Sequence, residues 1–423
     1  MNAFDVLQER GFVQQCTDAE AVRAMFAAGP VTAYVGYDPT ADSLHVGHLF
    51  SLMSLMHLAR TGNKPIVLMG GGTAMVGDPS GKTEMRQMLT REAILGNIER
   101  IKKQVARLFG AGDAIVANND SWLLELRYVD FLRDIGRHFS VNRMLSAEAY
   151  KIRLERGLSF IEFNYQLLQA YDFLELCKRH DCTLQMGGDD QWSNILAGVD
   201  LCRRLLQKQV QGLTSPLLMT AAGEKMGKTA AGAVWLDPEK VSPYDYYQYW
   251  VNTDDRDVAR MLGFFTFLPM DEVRAVDELD GRDLNAAKAI LAFEATCIVH
   301  GDAAATTAHT SAQAAFGGRE LPASILPSSK VPRVASATAE SMPTTHVTAA
   351  ELATGLSLID LLRRTEIADS NGSARRLIQQ GGVRLGETKI DDDKKVVTAA
   401  DFEGGVMLLK AGKKKIFRVV MQG

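Results

Sequence analysis

Residues 31–72 read VTAYVGYDPTADSLHVGHLFSLMSLMHLARTGNKPIVLMGGG and contain the most informative pattern in the chain. The first seven residues are rich in β-branched and aromatic side chains, which predicts a strand that ends at Asp38-Pro39. The apolar stretch from His45 to Thr61 predicts a helix, and PIVLM predicts a second strand that enters a glycine turn. Strand, helix and strand at this spacing indicate a doubly wound, Rossmann-like α/β fold with a parallel sheet.

A chain of 423 residues is longer than one hydrophobic core usually supports, and the composition changes along the chain. We expect an α/β domain over residues 1–229 and a largely α-helical domain over 230–318. Four prolines in a Ser- and Ala-rich stretch predict an extended linker over 319–346. A small, compact α+β module over 347–423 follows.

The composition is that of an ordinary globular protein, with 46% hydrophobic and 23% charged residues. No apolar run is long enough to span a bilayer, and charged residues occur within the first ten positions. We therefore expect a cytoplasmic protein that does not associate with a membrane. The five cysteines include no CxxC pair, which favours free thiols over a disulfide framework.

Charge is unevenly distributed along the chain. The residues from Glu351 onward carry 13 basic and 10 acidic side chains, a net charge of +3, whereas the whole chain has a net charge of −4. An acidic body with a basic C-terminal module suggests a polyanionic partner at that end.

His45-Val46-Gly47-His48 lies at the predicted strand-to-helix turn. Gly47 allows a flat adenine to approach the backbone, and the two histidines with the helix N-terminus can hold triphosphate charge. A pair of surface histidines or a zinc-binding pair are alternatives, although no third ligand with suitable spacing is nearby.

Lys225-Met226-Gly227-Lys228-Thr229 is the second motif with a chemical interpretation. Two lysines on either side of a glycine in a mobile loop suit transient contact with a leaving pyrophosphate. Taken alone, such a loop is as often merely solvated. Together with HVGH, it favours nucleotide chemistry.

These two motifs resemble HIGH and KMSKS, the signatures of class I aminoacyl-tRNA synthetases. The stretches YVGYDPTADSLHVGHL, GDPSGKTEMR, NRML, FNYQLLQAYDFLEL, MGGDDQWSNI and KMGKTAAGAVWLD are further similar to the tyrosyl-tRNA synthetases of bacteria and organelles. The chain departs from the family at Gly227 and at Asp189, where serine is usual. The second change could add negative charge near the nucleotide.

The resemblance implies a two-step reaction. L-tyrosine and ATP give tyrosyl-adenylate and pyrophosphate, and the tyrosine then passes to the 3′ end of tRNA(Tyr). Mg²⁺ is expected to arrive with ATP, with no tightly bound cofactor and no metal held by the protein. The resemblance also implies a homodimer that forms through residues 123–160, with one tRNA crossing both subunits.

The resemblance assigns the site residues as well. The phenol of the substrate would be recognised by Tyr34 and Asp172. Tyr165, Gln169 and Asp172 have spacings of four and three, which puts them on one helix face. The other assignments are Asp78 and Gln191 for the amino acid; Thr40, His45, His48, Lys225 and Lys228 for catalysis; and Gly36, Asp38, Gly47, Lys82, Arg86, Gly188, Asp190 and again Lys228 for ATP.

The C-terminal module is similar to a small RNA-binding module shared with a ribosomal protein. Arg375 and Arg376 lie on a predicted short helix that ends at Gly381-Gly382, and VRL and TKI around Gly386 predict a hairpin. Arginines beside a hairpin suit contact with an RNA backbone.

Three other functions remain open at this point. A tryptophan-specific relative would share the fold, although the polar Tyr34 and Asp172 argue against it. A small nucleotidyltransferase with an HxGH motif would not need the helical domain or the basic module. A non-catalytic RNA-binding protein on a synthetase scaffold would not need Lys225 and Lys228.

Overall fold

The computed structural model describes residues 2–78, 89–110, 112–147, 150–151, 154–155, 157–221, 223, 226–229, 232–316, 320–334, 343–412 and 415–422, the side chains of 228, 229, 316 and 415 excepted. The chain forms two compact units, one of residues 1–241 with 253–279 and one of residues 242–252 with 280–423. This division differs from the four domains expected from the sequence, whose limits remain a prediction.

The first unit is built around a six-stranded sheet. Its strands are β1 (Gln15–Cys16), β2 (Thr32–Tyr37), β3 (Lys64–Met69), β4 (Ile115–Asn118), β5 (Leu184–Gly188) and β6 (Gln211–Ser215). Their order is β1-β6-β5-β2-β3-β4, and only β1 is antiparallel to its neighbour. The connections reverse direction between β2 and β5. A crevice at the carboxyl ends of these two strands is where doubly wound folds bind ligands.

The helices of the first unit cover this sheet. They are α1 (Ala3–Glu9), α2 (Ala19–Ala28), α3 (Val46–Arg60), α4 (Arg91–Phe109), α5 (Asp120–Leu123), α6 (Tyr128–Asp134), α7 (Val141–Leu145), α8 (Phe160–His180) and α9 (Trp192–Leu206). The two that matter most for the site are α3, which follows β2, and α8. Helix α3 is buried along most of its length, which explains its nearly continuous apolar sequence.

The remaining helices of the chain follow in order. They are α10 (Pro243–Val251), α11 (Val258–Phe265), α12 (Met270–Arg274), α13 (Gly281–His300), α14 (Asp302–Phe316), α15 (Ala349–Thr354), α16 (Leu358–Arg364) and α17 (Asn371–Gln379). Helices α11 and α12 belong to the first unit and the others to the second. No helix in the described ranges is long and apolar enough to cross a membrane.

Nine further strands follow β6 in the described part of the chain. They are β7 (Lys228–Thr229), β8 (Gly232–Ala233), β9 (Thr344–Thr348), β10 (Leu356–Ser357), β11 (Val383–Leu385), β12 (Thr388–Ile390), β13 (Val396–Val397), β14 (Val406–Ala411) and β15 (Lys415–Gln422). Five of them form a sheet in the order β12-β11-β14-β15-β9. The predicted hairpin of β11 and β12 is confirmed, and Gly386 takes a positive φ of 57° in its turn.

Residues 320–334 differ from the extended linker that the sequence predicts. The Arg333 guanidinium donates hydrogen bonds to the carbonyl oxygens of Pro322, Ile325 and Leu326. The side chains of Ile325 and Leu326 are buried. The Arg333 side chain thus helps to close this stretch into a compact turn, which the content of proline and serine does not reveal. The rest of the expected linker, residues 335–342, lies outside the described residues.

Candidate active site

A cavity of about 420 Å³ opens at the carboxyl ends of β2 and β5, where the strand order reverses. Its walls come from these two strands, the N-terminus of α3 and one face of α8. The predicted site residues that line it are Tyr34, Gly36, Asp38, Thr40, His45, Gly47, His48, Asp78, Tyr165, Gln169, Asp172, Gly188, Asp190 and Gln191. Positions spread over 158 residues of sequence, from Tyr34 to Gln191, therefore meet in one place.

The other predicted residues are placed differently. Lys82, Arg86 and Lys225 lie outside the described residues, and Lys228 is described only as backbone within β7. Arg375 and Arg376 lie on α17 in the second unit.

The Tyr34 hydroxyl and the Asp172 carboxylate are two buried polar groups in the wall of the cavity. Asp172 is 2% exposed and accepts hydrogen bonds from Asn119 Nδ2 at 2.9 Å and Trp122 Nε1 at 2.8 Å. Burial nevertheless raises the pKa of Asp172 to about 7. The buried Tyr34 hydroxyl has no hydrogen-bond partner within the described part of the chain. A buried polar atom of this kind is costly unless a ligand completes it.

Asn119 connects Asp172 to the rest of the site. Its Nδ2 donates both to Asp172 and to Thr73 Oγ1, the latter at 3.0 Å. Thr73 Oγ1 in turn donates to Asp38 Oδ1 at 2.9 Å, and the Tyr165 hydroxyl donates to Asp38 Oδ2 at 3.2 Å. This hydrogen-bond network links Asp172 to Asp38 and Tyr165 in the cavity wall.

Asn119, Thr73 and Trp122 contact the predicted site residues Asp172 and Asp38, and the sequence interpretation missed them. The signal for two of them was the glycine run at residues 70–72. A Cβ atom at Gly70 would collide with the side chains of Asp38 and Thr73, and one at Gly72 would lie 3.4 Å from Asn119 Oδ1, which accepts from the Gly72 backbone N–H at 2.7 Å. Three glycines in a row after a strand therefore indicate side chains packed directly against the turn.

A second set of amide contacts joins residues of α8, the 3₁₀ turn after β5 and the start of α9. Gln191 Nε2 donates to Asp78 Oδ2 at 2.9 Å. Asn194 Nδ2 donates to Gln169 Oε1 and to Gln191 Oε1, both at 3.1 Å. The carboxylate of Asp78 and the amide oxygen of Gln169 can accept from a ligand ammonium group.

The HVGH turn starts α3 with its own side chains as caps. Nδ1 of His45 accepts from the Gly47 backbone N–H at 3.0 Å, and Nδ1 of His48 accepts from the His45 backbone N–H at 3.2 Å. The two rings stack with centroids 3.9 Å apart. Because both Nδ1 atoms accept, the neutral rings carry their proton on Nε2, which is a suitable donor to phosphate oxygen. A Cβ atom at Gly47 would lie 2.8 Å from His45 Cε1, so the motif requires glycine here.

The KMGKT loop packs on this turn. Gly227 has a φ of +87°, and a Cβ atom there would lie 3.1 Å from the Gly47 nitrogen. Val234 N–H donates to the Gly227 carbonyl at 2.9 Å, and Val46 N–H donates to the Val234 carbonyl at 3.0 Å. Positive φ and close backbone approach both favour glycine, which accounts for the departure from serine at this position.

Two glycines leave room beside the strands. A Cβ atom at Gly36 in β2 would meet nothing within 4 Å, so the cavity floor is open at this point. A Cβ atom at Gly188 would lie 2.7 Å from Asp190 Oδ1. Larger residues would fill the space or displace the Asp190 carboxylate.

Asp189 is directed differently from its neighbours. Its Oδ1 accepts from Gln15 Nε2 at 2.6 Å and from Thr214 Oγ1 at 2.9 Å, and Asp189 is not among the described residues that line the cavity. The second departure from the family therefore points into the protein rather than toward a nucleotide.

The arrangement suits reactions of phosphate esters with an amino acid. The two imidazoles at the start of α3 can donate to phosphate oxygen, while Tyr34 and Asp172 offer one donor and one acceptor for a polar group of a ligand. No cluster of three or more His, Cys, Asp or Glu side chains that could hold a metal ion occurs in the described ranges.

Comparison with known proteins gives matches along the chain. Residues 27–317 match the family described as tRNA synthetases class I (W and Y). Residues 334–419 match the family described as the tyrosine–tRNA ligase SYY-like C-terminal domain.

Curated relatives match over almost their full length. The chain is 55% identical over 430 residues to a tyrosine–tRNA ligase of Desulfosudis oleivorans, with 100% of this chain and 99% of the relative covered. It is 48% identical to a tyrosine–tRNA ligase of Acetivibrio thermocellus, with 99% of each chain covered.

Solved structures agree with this assignment. A C-terminally truncated mitochondrial tyrosyl-tRNA synthetase of Aspergillus nidulans is 30% identical with a TM-score of 0.66, over 74% of this chain and 93% of that one. A tyrosyl-tRNA synthetase of Archaeoglobus fulgidus complexed with L-tyrosine has a TM-score of 0.56 at 20% identity, over 72% of this chain and 99% of that one, which shows the shared fold. From the family match over most of its length and the near-complete overlap with these relatives, the chain belongs to the class I tRNA synthetases of the tryptophan and tyrosine group.

Proposed function

We infer that the protein is an enzyme with tyrosine–tRNA ligase activity, which activates L-tyrosine with ATP and transfers it to tRNA(Tyr). The observation that carries this inference is the presence of two buried polar groups in the cavity wall. The Tyr34 hydroxyl, which has no partner among the described residues, and the buried Asp172 carboxylate offer one donor and one acceptor in the wall of the same cavity. A phenol hydroxyl satisfies both, because it can donate to Asp172 and accept from Tyr34.

The same argument opposes the tryptophan-specific alternative. An indole N–H could donate to Asp172 but has no acceptor for the Tyr34 hydroxyl, and a phenyl ring satisfies neither group. Leaving a buried polar group without a partner costs roughly 1–3 kcal/mol. The relatives named tyrosine–tRNA ligase support the tyrosine assignment.

The amino and carboxyl groups of the substrate are assigned to the region of the second set of amide contacts. We propose that the ammonium group lies among Asp78, Tyr165 and Gln169, and that Gln191 contacts the carboxylate. Asp78 accepts from Gln191 and Gln169 accepts from Asn194, and these hydrogen bonds orient both acceptors in the cavity wall.

ATP is assigned to the space between the HVGH turn, Gly36 and Asp190. Thr40, His45 and His48 would contact the phosphates from the start of α3, with Gly47 and Asp38 beside them. Gly188 and Asp190 would border the ribose. Mg²⁺ would arrive with ATP. Lys82 and Arg86 are proposed as further phosphate contacts from the sequence alone.

The reaction needs no covalent enzyme intermediate. The tyrosine carboxylate attacks the α-phosphate of ATP in line, pyrophosphate leaves, and a ribose hydroxyl of the tRNA 3′ end then attacks the adenylate. Catalysis is positioning together with stabilisation of phosphate charge. We assign the charge of the leaving pyrophosphate to Lys225 and Lys228, since the KMGKT loop packs against the HVGH turn.

RNA binding is proposed for the C-terminal module. It has a core of its own, including Leu358, Leu361 and Val419, and a net positive charge. Of the two predicted arginines on α17, Arg375 lies 3.9 Å from Asp393, and Arg376 is exposed on the same helix. Arg376 is therefore the better candidate for a phosphate contact.

We propose that two copies associate through the segment from 123 to 160. Large apolar side chains are exposed along it, including Tyr128 at 62%, Val129 at 73% and Val141 at 56%. Exposed large apolar side chains of this kind often mark an interface, and Phe160 at the start of α8 is 69% exposed as well. Leu132, at 39%, adds a third exposed apolar side chain to Tyr128 and Val129 on α6, which suits packing against an identical surface.

Sedimentation equilibrium tests the dimer. Val129→Asp should shift the protein to monomer, whereas the control Leu95→Asp, at an exposed apolar position on α4, should not. A wild-type monomer at micromolar concentration would refute the proposal.

We further propose a cytoplasmic location, where ATP and tRNA are available.

The proposed function is tested by amino-acid-dependent exchange of labelled pyrophosphate into ATP, measured separately with each of the twenty amino acids. Tyrosine alone should support rapid exchange, and the purified enzyme should then charge tRNA(Tyr). Exchange that depends on tryptophan would identify the tryptophan-specific relative. Absence of exchange with every amino acid would favour the non-catalytic RNA-binding protein.

A further inference from the structure

Gln15 and Thr214 form a pair directly opposite one another on the antiparallel strands β1 and β6. Both side chains donate to the same atom, Oδ1 of Asp189, at 2.6 Å and 2.9 Å. Thr214 is fully buried, and Asp189 and Gln15 are half-buried. A cross-strand pair that converges on one carboxylate oxygen defines the position of that carboxylate closely.

Asp189 begins a short 3₁₀ turn, Asp189–Gln191, that carries two residues of the cavity wall. Gln191 has separate hydrogen bonds with Asp78 and Asn194. Gly188 and Asp190, which border the proposed nucleotide position, lie directly on either side of Asp189. A displacement of Asp189 is therefore expected to move the nucleotide side of the turn more than the amino-acid side.

We propose that Asp189 is a positioning residue that fixes the nucleotide-facing wall of the active site through a clamp on Gln15 and Thr214. The clamp is a pair of hydrogen bonds from neutral donors to a carboxylate, which are stronger than bonds between neutral groups. This inference rests on the proposed activation of tyrosine with ATP, since it assigns Asp190 to the nucleotide.

The clamp also gives a role to the N-terminal segment. Gln15 precedes residue 27, where the match to the synthetase family begins. The segment is anchored to the same unit by Phe12, whose ring stacks on Phe50 of α3 with centroids 5.1 Å apart. Phe50 itself lines the cavity. Through Phe12 and Gln15, the segment supports both the α3 wall and the β5 wall.

The test is a set of variants in the intact protein: Asp189→Ala, Asp189→Asn, Gln15→Ala, Thr214→Val and the double variant Gln15→Ala/Asp189→Ala. KM for ATP and kcat are measured by pyrophosphate exchange, Kd for tyrosine by equilibrium dialysis, and folding by thermal unfolding. Asp189→Ala should raise KM for ATP about tenfold, the effect of one to two hydrogen bonds, and change Kd for tyrosine less than about twofold. Asp189→Asn keeps an oxygen acceptor and should restore most of the ATP affinity.

The double variant distinguishes a clamp from a general loss of stability. If Gln15 acts only through Asp189, then adding Gln15→Ala to Asp189→Ala should produce no further change in KM for ATP. Additive effects, or equal changes for ATP and tyrosine, would overturn the proposal. If Asp189→Ala does not fold, Gln15→Ala and Thr214→Val decide it, since each should raise KM for ATP about threefold, below the full effect of losing a hydrogen bond. Wild-type protein without tyrosine-dependent exchange would instead refute the proposed function.

Discussion

The Tyr34 hydroxyl and the Asp172 carboxylate line the same cavity, but they differ in their hydrogen-bond partners. Asp172 already has two donors, whereas the Tyr34 hydroxyl has no partner in the described part of the chain. We expect Tyr34→Phe to lower the preference for tyrosine over phenylalanine about fivefold to tenfold, the effect of one hydrogen bond. Because the lost hydroxyl is unsatisfied without substrate, the same change should not lower the melting temperature.

The measurement is the ratio of kcat/KM for tyrosine and phenylalanine in pyrophosphate exchange, with the melting temperature recorded on the same samples. KM for ATP serves as the internal control and should stay nearly normal. An unchanged preference ratio would show that the phenol is recognised elsewhere.

Asp172 adds a pH dependence. Burial raises its pKa to about 7, so the ligand-free carboxyl group is largely protonated at pH 6 and largely ionised at pH 8. If the ionised form accepts the substrate hydroxyl, tyrosine affinity should fall about tenfold from pH 8 to pH 6. The free energy of unfolding without ligand should change in the opposite sense. It should decrease as pH rises from about 4 to about 7, because the folded form binds the proton more tightly than the unfolded form.

Equilibrium dialysis of labelled tyrosine at pH 6, 7 and 8 checks this expectation. Asp172→Asn should bind weakly with no pH dependence, whereas Tyr34→Phe should keep the pH dependence of the wild type. A flat profile in the wild-type protein would mean that Asp172 is already ionised at pH 6.

Secondary-structure elements explain which parts of the site could be predicted. The spacing of Tyr165, Gln169 and Asp172 follows from helical geometry, so a sequence suffices to put them on one face of α8. The direction of Asp189 depends on the register between β1 and β6, two strands about 200 residues apart. Asn119 was missed for the same reason, since its contacts with Thr73 and Asp172 cross three elements.

The KMGKT loop is the element with the clearest kinetic consequence. Lys225→Ala and Lys228→Ala should each lower the rate of adenylate formation about a hundredfold, because a single preorganised donor to transition-state charge contributes roughly that much. Tyrosine affinity should stay nearly constant, since pyrophosphate charge develops only during the reaction.

Stopped-flow measurement of adenylate formation separates the two quantities. Lys102→Ala is a matched control, because Lys102 is an exposed lysine on α4 that pairs with Glu99 at 2.7 Å and lies outside the cavity lining. Equal losses in tyrosine affinity and in rate would exclude a role for the loop lysines in the transition state.

On the scale of the whole molecule, the sequence predicted the parallel sheet and the C-terminal hairpin, whereas the contacts that place α11 and α12 in the first unit could not be predicted. Helices α11 and α12, expected in the helical domain, belong to the first unit. There Arg10 donates to the carbonyl oxygens of Gly263, Thr266 and Leu268. Contacts between residues about 250 positions apart leave no local pattern in a sequence. Helices and strands, in contrast, leave a local periodicity that can be recognised.

Because residues 320–334 form a compact turn, a truncated fragment should end after it. A fragment that ends at Val334 keeps the contacts of Arg333 with Pro322, Ile325 and Leu326, and Val334 itself is 71% exposed. The core of the C-terminal module is formed by residues from Val347 onward among those described, so the cut leaves it whole on the other side. We expect this fragment to make tyrosyl-adenylate at nearly the full rate, because the cavity lies within residues 34–226.

The same fragment should charge tRNA poorly. It lacks the basic module, and its remaining net charge is more negative than that of the intact chain, so RNA is repelled. Each lost phosphate contact should also flatten the salt dependence of tRNA affinity by about one unit of log–log slope. Arg376→Ala in the intact chain is the matched single change and should reduce the slope by about one unit while leaving pyrophosphate exchange unchanged. Tyrosylation by the fragment at the full-length rate and with the full-length salt slope would show that the module does not bind tRNA. Loss of exchange in a fragment that remains folded would show that adenylate formation requires residues beyond Val334.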